Sequence, residues 1–191
     1  MKTAGASMRT AGASVRTVWL IDGAYLFNYG KTHPFDYLKL KNEIVKQNGG
    51  PIYESYFLNA SADPSGDAQN GFHTWLKSAV PKGPTFRVQL YRLKDTRHSC
   101  PNCGQQFDRQ VQKGVDVAIA TLIVKLAAQN VYDRLILSAG DGDFEDAVVY
   151  VKSELHKQIW INGSQANLSA DLQSYADSVL WLENMSPAID K

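Results

Sequence analysis

The sequence predicts an α/β protein, a three-layer α/β/α sandwich around a mainly parallel central sheet. Three observations predict it. Strand-like runs alternate with segments of helical periodicity along the chain. Two of those runs, Val18-Trp19-Leu20-Ile21 and Leu135-Ile136-Leu137, are short and wholly apolar, as buried strands are. The chain has 191 residues, 44% apolar and 20% charged, with no dividing linker, which suits one soluble domain with a sizeable core.

Val18–Ile21 reads as the first strand and turns at Asp22-Gly23. Phe35–Gln47 reads as a helix, with Leu38, Leu40, Ile44 and Val45 as its apolar positions and Asn48-Gly49-Gly50-Pro51 as its stop. Ile52–Leu58 is rich in aromatic and β-branched residues, a second strand. Asn59–Asp67 reads as a loop, and Ala68–Val80 as a helix with Phe72, Trp75, Leu76 and Ala79 on one face. Phe86–Leu93 alternates as a third strand. Residues 95–112 read as a polar, irregular insertion carrying the cysteines. Asp116–Gln129 is a strongly apolar helix, expected to be buried on most sides. Arg134–Leu137 is the fourth strand, Phe144–Leu155 a helix and Gln158–Ile161 the fifth strand. Leu168–Tyr175 reads as a short helix and Ser178–Leu182 as a sixth strand.

The expected domain is 17–184. Residues 1–16 read as a disordered leader in which MKTAGAS is nearly repeated by MRTAGAS, and 185–191 as a short polar tail. No apolar run approaches the roughly 20 residues of a membrane span. No apolar segment follows Lys2 as a secretory signal requires. With only two cysteines, a structural disulfide is not expected and a cytoplasmic location is.

The net charge of +1 says nothing about a partner, but its distribution does. Lys82, Arg87, Arg92, Lys94, Arg97, Arg109 and Lys113 stand against only Asp95 and Asp108 in their stretch. Such an excess can meet phosphates, or simply be a solvated surface.

Four acids have places at which they can converge. Ligands of open parallel sheets sit beyond the carboxyl ends of the strands. Asp22 follows strand one. Asp141 and Asp143 follow strand four in Ser138-Ala139-Gly140-Asp141-Gly142-Asp143-Phe144. Asp116 opens the apolar helix, on the same rim. Clustered carboxylates repel unless a cation neutralises them, and their oxygens suit Mg²⁺ or Mn²⁺. Such a site supports metal-assisted hydrolysis of a phosphodiester. The plainer readings are turn residues for the Asp-Gly pairs and a dipole-favoured acid for Asp116. Lys113 is a candidate phosphate contact or a solvated charge. Asp146 is read as solvated or supporting.

These segments resemble the NYN domain family, through Ile21-Asp22-Gly23, Lys113-Gly114-Val115-Asp116-Val117-Ala118, Ser138–Phe144 and the late Gly163-Ser164, Leu168 and Ala176-Asp177. The LabA-like branch is the nearest, over roughly Val18 to Glu183. The resemblance implies a PIN-like fold and metal-dependent ribonuclease activity, with Asp22, Asp116, Asp141 and Asp143 as the metal-binding catalytic acids. It implies a site-shaping Ser138 that bonds the loop or a phosphate. Two positions depart from the family's pattern. Tyr25 stands where many members carry Asn, and Leu122 where many carry Asp.

His98-Ser99-Cys100-Pro101-Asn102-Cys103-Gly104 has the form of half a zinc ribbon. His98 is the candidate third ligand of Cys100 and Cys103, with His33, His73 or His156 as a fourth if the fold brings it near, and two chains sharing one ion, as a homodimer, are an alternative. A turn that merely carries free thiols is another. The insertion can guide single-stranded RNA with Arg97 and Arg109, while Tyr25, Phe27, Tyr29 and Phe107 are candidate stacking surfaces. The expected function is a Mg²⁺- or Mn²⁺-dependent ribonuclease. Its rival is the same fold used as a non-catalytic RNA- or protein-binding module. A phosphohydrolase of the haloacid-dehalogenase kind ranks low, because Asp22-Gly23-Ala24 lacks the D-x-D that class needs.

Overall fold

The computed structural model describes residues 15–61, 66–111 and 114–191. The elements run β1 (Thr17–Asp22), α1 (Gly23–Thr32), α2 (Tyr37–Asn48), β2 (Glu54–Ser61), α3 (Asp67–Lys77) and β3 (Arg87–Arg92). A pair of strands follows, β4 (Lys94–Ser99) and β5 (Gln106–Val111). Then come α4 (Val115–Ala128), β6 (Arg134–Ser138), a 3-10 turn (Gly142–Phe144) and α5 (Glu145–Ser153). The chain closes with β7 (Gln158–Gly163), α6 (Ala170–Tyr175), β8 (Ser178–Trp181) and α7 (Leu182–Met185).

Six strands form one sheet in the order β3-β2-β1-β6-β7-β8. Every pairing in it is parallel. The strand order reverses between β1 and β6, the place where such sheets leave a crevice at their carboxyl ends.

Both faces of β1 are covered, which explains its unbroken apolar run. Val18 and Leu20 pack with Ile119 and Ile123 of α4 and with Val148 and Val151 of α5. Trp19 and Ile21 pack on the opposite face with Leu26 of α1 and with Leu40 and Ile44 of α2. The three-layer sandwich is therefore the observed architecture.

Several local expectations are corrected. Helix α1 falls in a stretch to which the sequence reading assigned no element. It forms because Asp22 caps it and because Leu26 and Tyr29 find the core. Asn59–Ser61, expected in a loop, extend β2 because they pair with Leu90–Arg92. Helix α3 stops at Lys77 rather than Val80. The irregular insertion is an antiparallel hairpin in which Lys94 pairs with Val111 and Ser99 with Gln106. Helix α4 is less enclosed than its composition suggests, since Val117 is 70% exposed. The polar tail is packed, with Met185 and Ile189 buried and the Asp36 N–H donating to Ile189 O at 2.8 Å. The leader expected at 1–16 lies outside the described residues up to position 14. Arg16 is already tied to the domain through its N–H to Asp133 Oδ2 at 3.0 Å.

Candidate functional site

Asp22 is the last residue of β1 and the cap of α1. Its Oδ1 accepts the N–H groups of Ala24 at 2.9 Å and Tyr25 at 3.3 Å. Only glycine fits after it. A Cβ on Gly23 would stand 2.6 Å from Phe57 Cζ and 2.9 Å from Asn59 Cβ. Asp141 repeats the device after β6, its Oδ1 accepting the Asp143 N–H at 3.1 Å. Asp116 lies in the first turn of α4, after Gly114 in a left-handed conformation of φ 90°. The carboxyl ends of β1 and β6 and the amino end of α4 thus present acids on one rim.

These acids feel one another. Burial raises the Asp22 pKa, the two capping N–H groups oppose that rise, and the charges of Asp116 and Asp141 add to it. Burial also raises the pKa of Asp116, followed by the charges of Asp141 and Asp143. A cleft of about 440 Å³ runs along this rim between Asp116, Asp143, Glu145 and Asp146. Glu145 is a site acid the sequence reading missed. Its signal was the run Asp141-Gly142-Asp143-Phe144-Glu145-Asp146, four acids within six residues.

The all-carboxylate donor set has the chemistry of a hard-cation site. The coupling is through charge. Among the described residues, no three His, Cys, Asp or Glu side chains stand close enough to hold one ion as they are oriented.

Ser138 is corrected. It is fully buried, and its Oγ accepts from Trp19 Nε1 at 2.8 Å and donates to Asn162 Oδ1 at 2.7 Å. Both bonds are internal to the sheet, so the hydroxyl does not reach a phosphate. Arg97 lies on the hairpin opposite Asp108, and Arg109 opposite Thr96. Lys113 and the side chains of Phe107 and Arg109 lie outside the described residues.

Cys100 and Cys103 occupy the hairpin turn as free thiols. That turn is closed by Cys100 N–H to Gln105 O at 2.8 Å and Gly104 N–H to Cys100 O at 2.9 Å. The Asn102 and Cys103 N–H groups hold the Cys100 thiol below its ordinary pKa. His98 does not join them. It sits within the ladder opposite Phe107, while the cysteines lie beyond the strand end.

Tyr25 is committed to the scaffold. Its hydroxyl accepts the Ser164 N–H at 2.8 Å and donates to Asn167 Oδ1 at 2.9 Å. Leu122 packs against the core. Asp177 is structural, accepting from Lys152 Nζ at 2.5 Å and from the Ile159 N–H at 2.7 Å. Tyr29 is buried, whereas Phe27 is 59% exposed. Among the described residues, no helix is long and apolar enough to cross a membrane.

Comparison with known proteins agrees with this architecture. Low amplitude and bright protein LabA of Synechococcus elongatus is 25% identical over 157 residues, covering 82% of this chain and 77% of that protein. The crystal structure of a protein of unknown function from Vibrio parahaemolyticus matches with a TM-score of 0.68 at 19% identity. The match covers 95% of this chain and 99% of that one, a likeness of fold. The family model of the NYN domain matches residues 16–183, so the chain belongs to the NYN domain family.

Proposed function

We propose that this protein is a divalent-metal-dependent ribonuclease that hydrolyses phosphodiester bonds of single-stranded RNA. The observation that carries this reading is the convergence of acids from the end of β1, the start of α4 and the loop after β6 on one rim, at the switch point of a parallel sheet, where the charges of Asp116 and Asp141 act on Asp22. Like charges brought to one rim from three segments of the chain invite a cation. NYN and PIN-like nucleases generally use divalent metals, and oxygen donors favour Mg²⁺ or Mn²⁺. A bound ion supplies an activated water and offsets the charge developing on the leaving oxygen.

In this reading Asp22 and Asp141 are held in place by their capping bonds, and Asp116 and Asp143 complete the donor set. Arg97, Arg109 and Lys113 attract the RNA backbone. The thiols of Cys100 and Cys103 suit a reducing compartment, the cytoplasm. Zinc bound by this pair draws its remaining ligands from a second copy of the chain.

The test is cleavage of a labelled, mixed-sequence single-stranded RNA with Mn²⁺, Mg²⁺ or EDTA, beside Asp141→Asn purified identically. Cleavage that needs metal and vanishes in the variant supports the reading. Cleavage that survives in the variant takes Asp141 out of the mechanism.

A second reading, a non-catalytic RNA- or protein-binding module, is favoured by Leu122. An apolar side chain packed against the core stands where many members of the family carry an acid, leaving the site one carboxylate poorer than theirs. RNA binding without turnover under every metal would select that reading.

A further inference from the structure

A cavity of about 780 Å³ opens along α1, beside the acidic rim. Its size is within the range of small-molecule sites, about 300–1,000 Å³. Ala24, two residues from Asp22, and Asn59 both line it. Asn59 follows Leu58, the residue paired with Asp22 across β1 and β2. The cavity and the carboxylate therefore share one end of the sheet.

The lining has a definite chemistry. Aromatic rings come from three helices, Phe27 of α1, Tyr37 of α2 and Phe72 of α3, and from Phe35 before α2. Phe27 is solvent-facing, with Lys31 Nζ 4.9 Å from its ring centroid. The same ammonium donates to Asn28 Oδ1 at 2.8 Å.

His73 also lines the cavity and is only 3% exposed. Neither of its ring nitrogens has a hydrogen-bond partner among the described residues. Burial, with the nearby charge of Lys77, lowers its pKa. The neutral ring carries one N–H donor and one lone pair. Buried polar atoms are paired as a rule, and both ring nitrogens are closed off in the cavity wall, so a ligand pairs one of them as the ring turns towards it.

A purely apolar ligand would leave His73 unsatisfied. A bare anion would leave the aromatic rings unused. A planar heterocycle with its own donors and acceptors, joined to a phosphate, engages the rings, the imidazole and Lys31 together.

We propose that this cavity receives an unpaired nucleobase. Given the ribonuclease reading above, on which this source rests, the base belongs to the nucleotide adjoining the phosphodiester at the acidic rim. The same chemistry is offered by a free nucleotide.

The test uses the full chain with ¹⁵N-labelled histidine in EDTA, so that no turnover intervenes. The four ribonucleoside monophosphates and a short single-stranded oligoribonucleotide are titrated separately. The ring nitrogens of His73 are expected to shift saturably. Phe27→Ala, which truncates an exposed ring and spares the core, is expected to weaken binding by about tenfold. A stronger response to the oligonucleotide assigns the base to an RNA strand, and a response to mononucleotides alone assigns it to a free nucleotide. No movement of His73 with either probe at millimolar concentration, or binding unchanged by Phe27→Ala, overturns the proposal. A His73 response in a protein that cleaves no RNA under any metal would leave the pocket standing and remove the ribonuclease reading.

Discussion

Tyr25 lies so close over Gly140 that a Cβ there would stand 2.4 Å from Tyr25 Cε2. Burial pushes the Tyr25 phenol up to about 12, so it stays protonated and donates to Asn167 while accepting from Ser164. One side chain of α1 thus ties down the segments that follow β6 and β7, next to Asp141. Gly140→Ala is expected to lose on the order of 1–3 kcal/mol of stability through overpacking. Tyr25→Phe is expected to lose roughly 1–3 kcal/mol by leaving the Ser164 N–H unpaired. Urea unfolding measures both, and a wild-type midpoint for Gly140→Ala would show that the ring is free to move away.

The acid cluster sets a pH dependence. Asp22 and Asp116 have folded-state pKa values above their ordinary 3.8. Each then binds its proton more readily in the folded chain. The penalty is absent well below 3.8 and grows as pH rises through the folded-state value. Because Asp116 is exposed and solvent screens its charge, Asp116→Asn is expected to raise Tm at neutral pH only slightly, by about a degree. The gain should shrink towards about pH 4. Mg²⁺ should raise the Tm of the wild type more than that of the variant. A Tm that falls on substitution at neutral pH would contradict the repulsion.

Ser138 belongs to a buried chain of hydrogen bonds. Trp19 donates to Ser138, Ser138 to Asn162, and Asn162 Nδ2 to Leu180 O at 2.9 Å. Ser138→Ala leaves the Trp19 N–H and the Asn162 carbonyl unpaired, a loss of about 1–3 kcal/mol. Calorimetry should show a Tm lowered by roughly 2–4 °C per kcal/mol. Activity per folded molecule should stay as in the wild type. Lost activity at unchanged Tm would return the hydroxyl to the substrate.

The cysteine hairpin predicts a zinc-dependent change in mass. Two thiolates are half of a tetrahedral set, and among the described residues no third ligand stands with them. Zinc is expected to convert monomer to dimer in light scattering, and Cys103→Ser to abolish the change. Zinc retained by a monomer at one ion per chain would rule out sharing between copies.

The sheet was legible because central parallel strands such as Val18–Ile21 are buried on both faces and cannot hide their composition. The acids at Asp22 and Asp141 were legible because a carboxylate directly after such a strand can lie only on one rim. Helix α1 was not, since its cap and its buried Leu26 acquire meaning only against the rest of the fold. The hairpin of β4 and β5 was not, because polar strands that pair mainly with each other carry no apolar signal. The roles of Ser138 and His73 also waited for the tertiary structure. Ser138 meets Trp19 across 119 positions of sequence, and His73 lies unpaired in the wall of a cavity built from separate helices. The sequence by itself determined which segments must be buried and where the charges stand along the chain. Which polar atoms are paired and which are left open was decided only by folding, because a hydrogen bond depends on distances in space that sequence patterning does not encode.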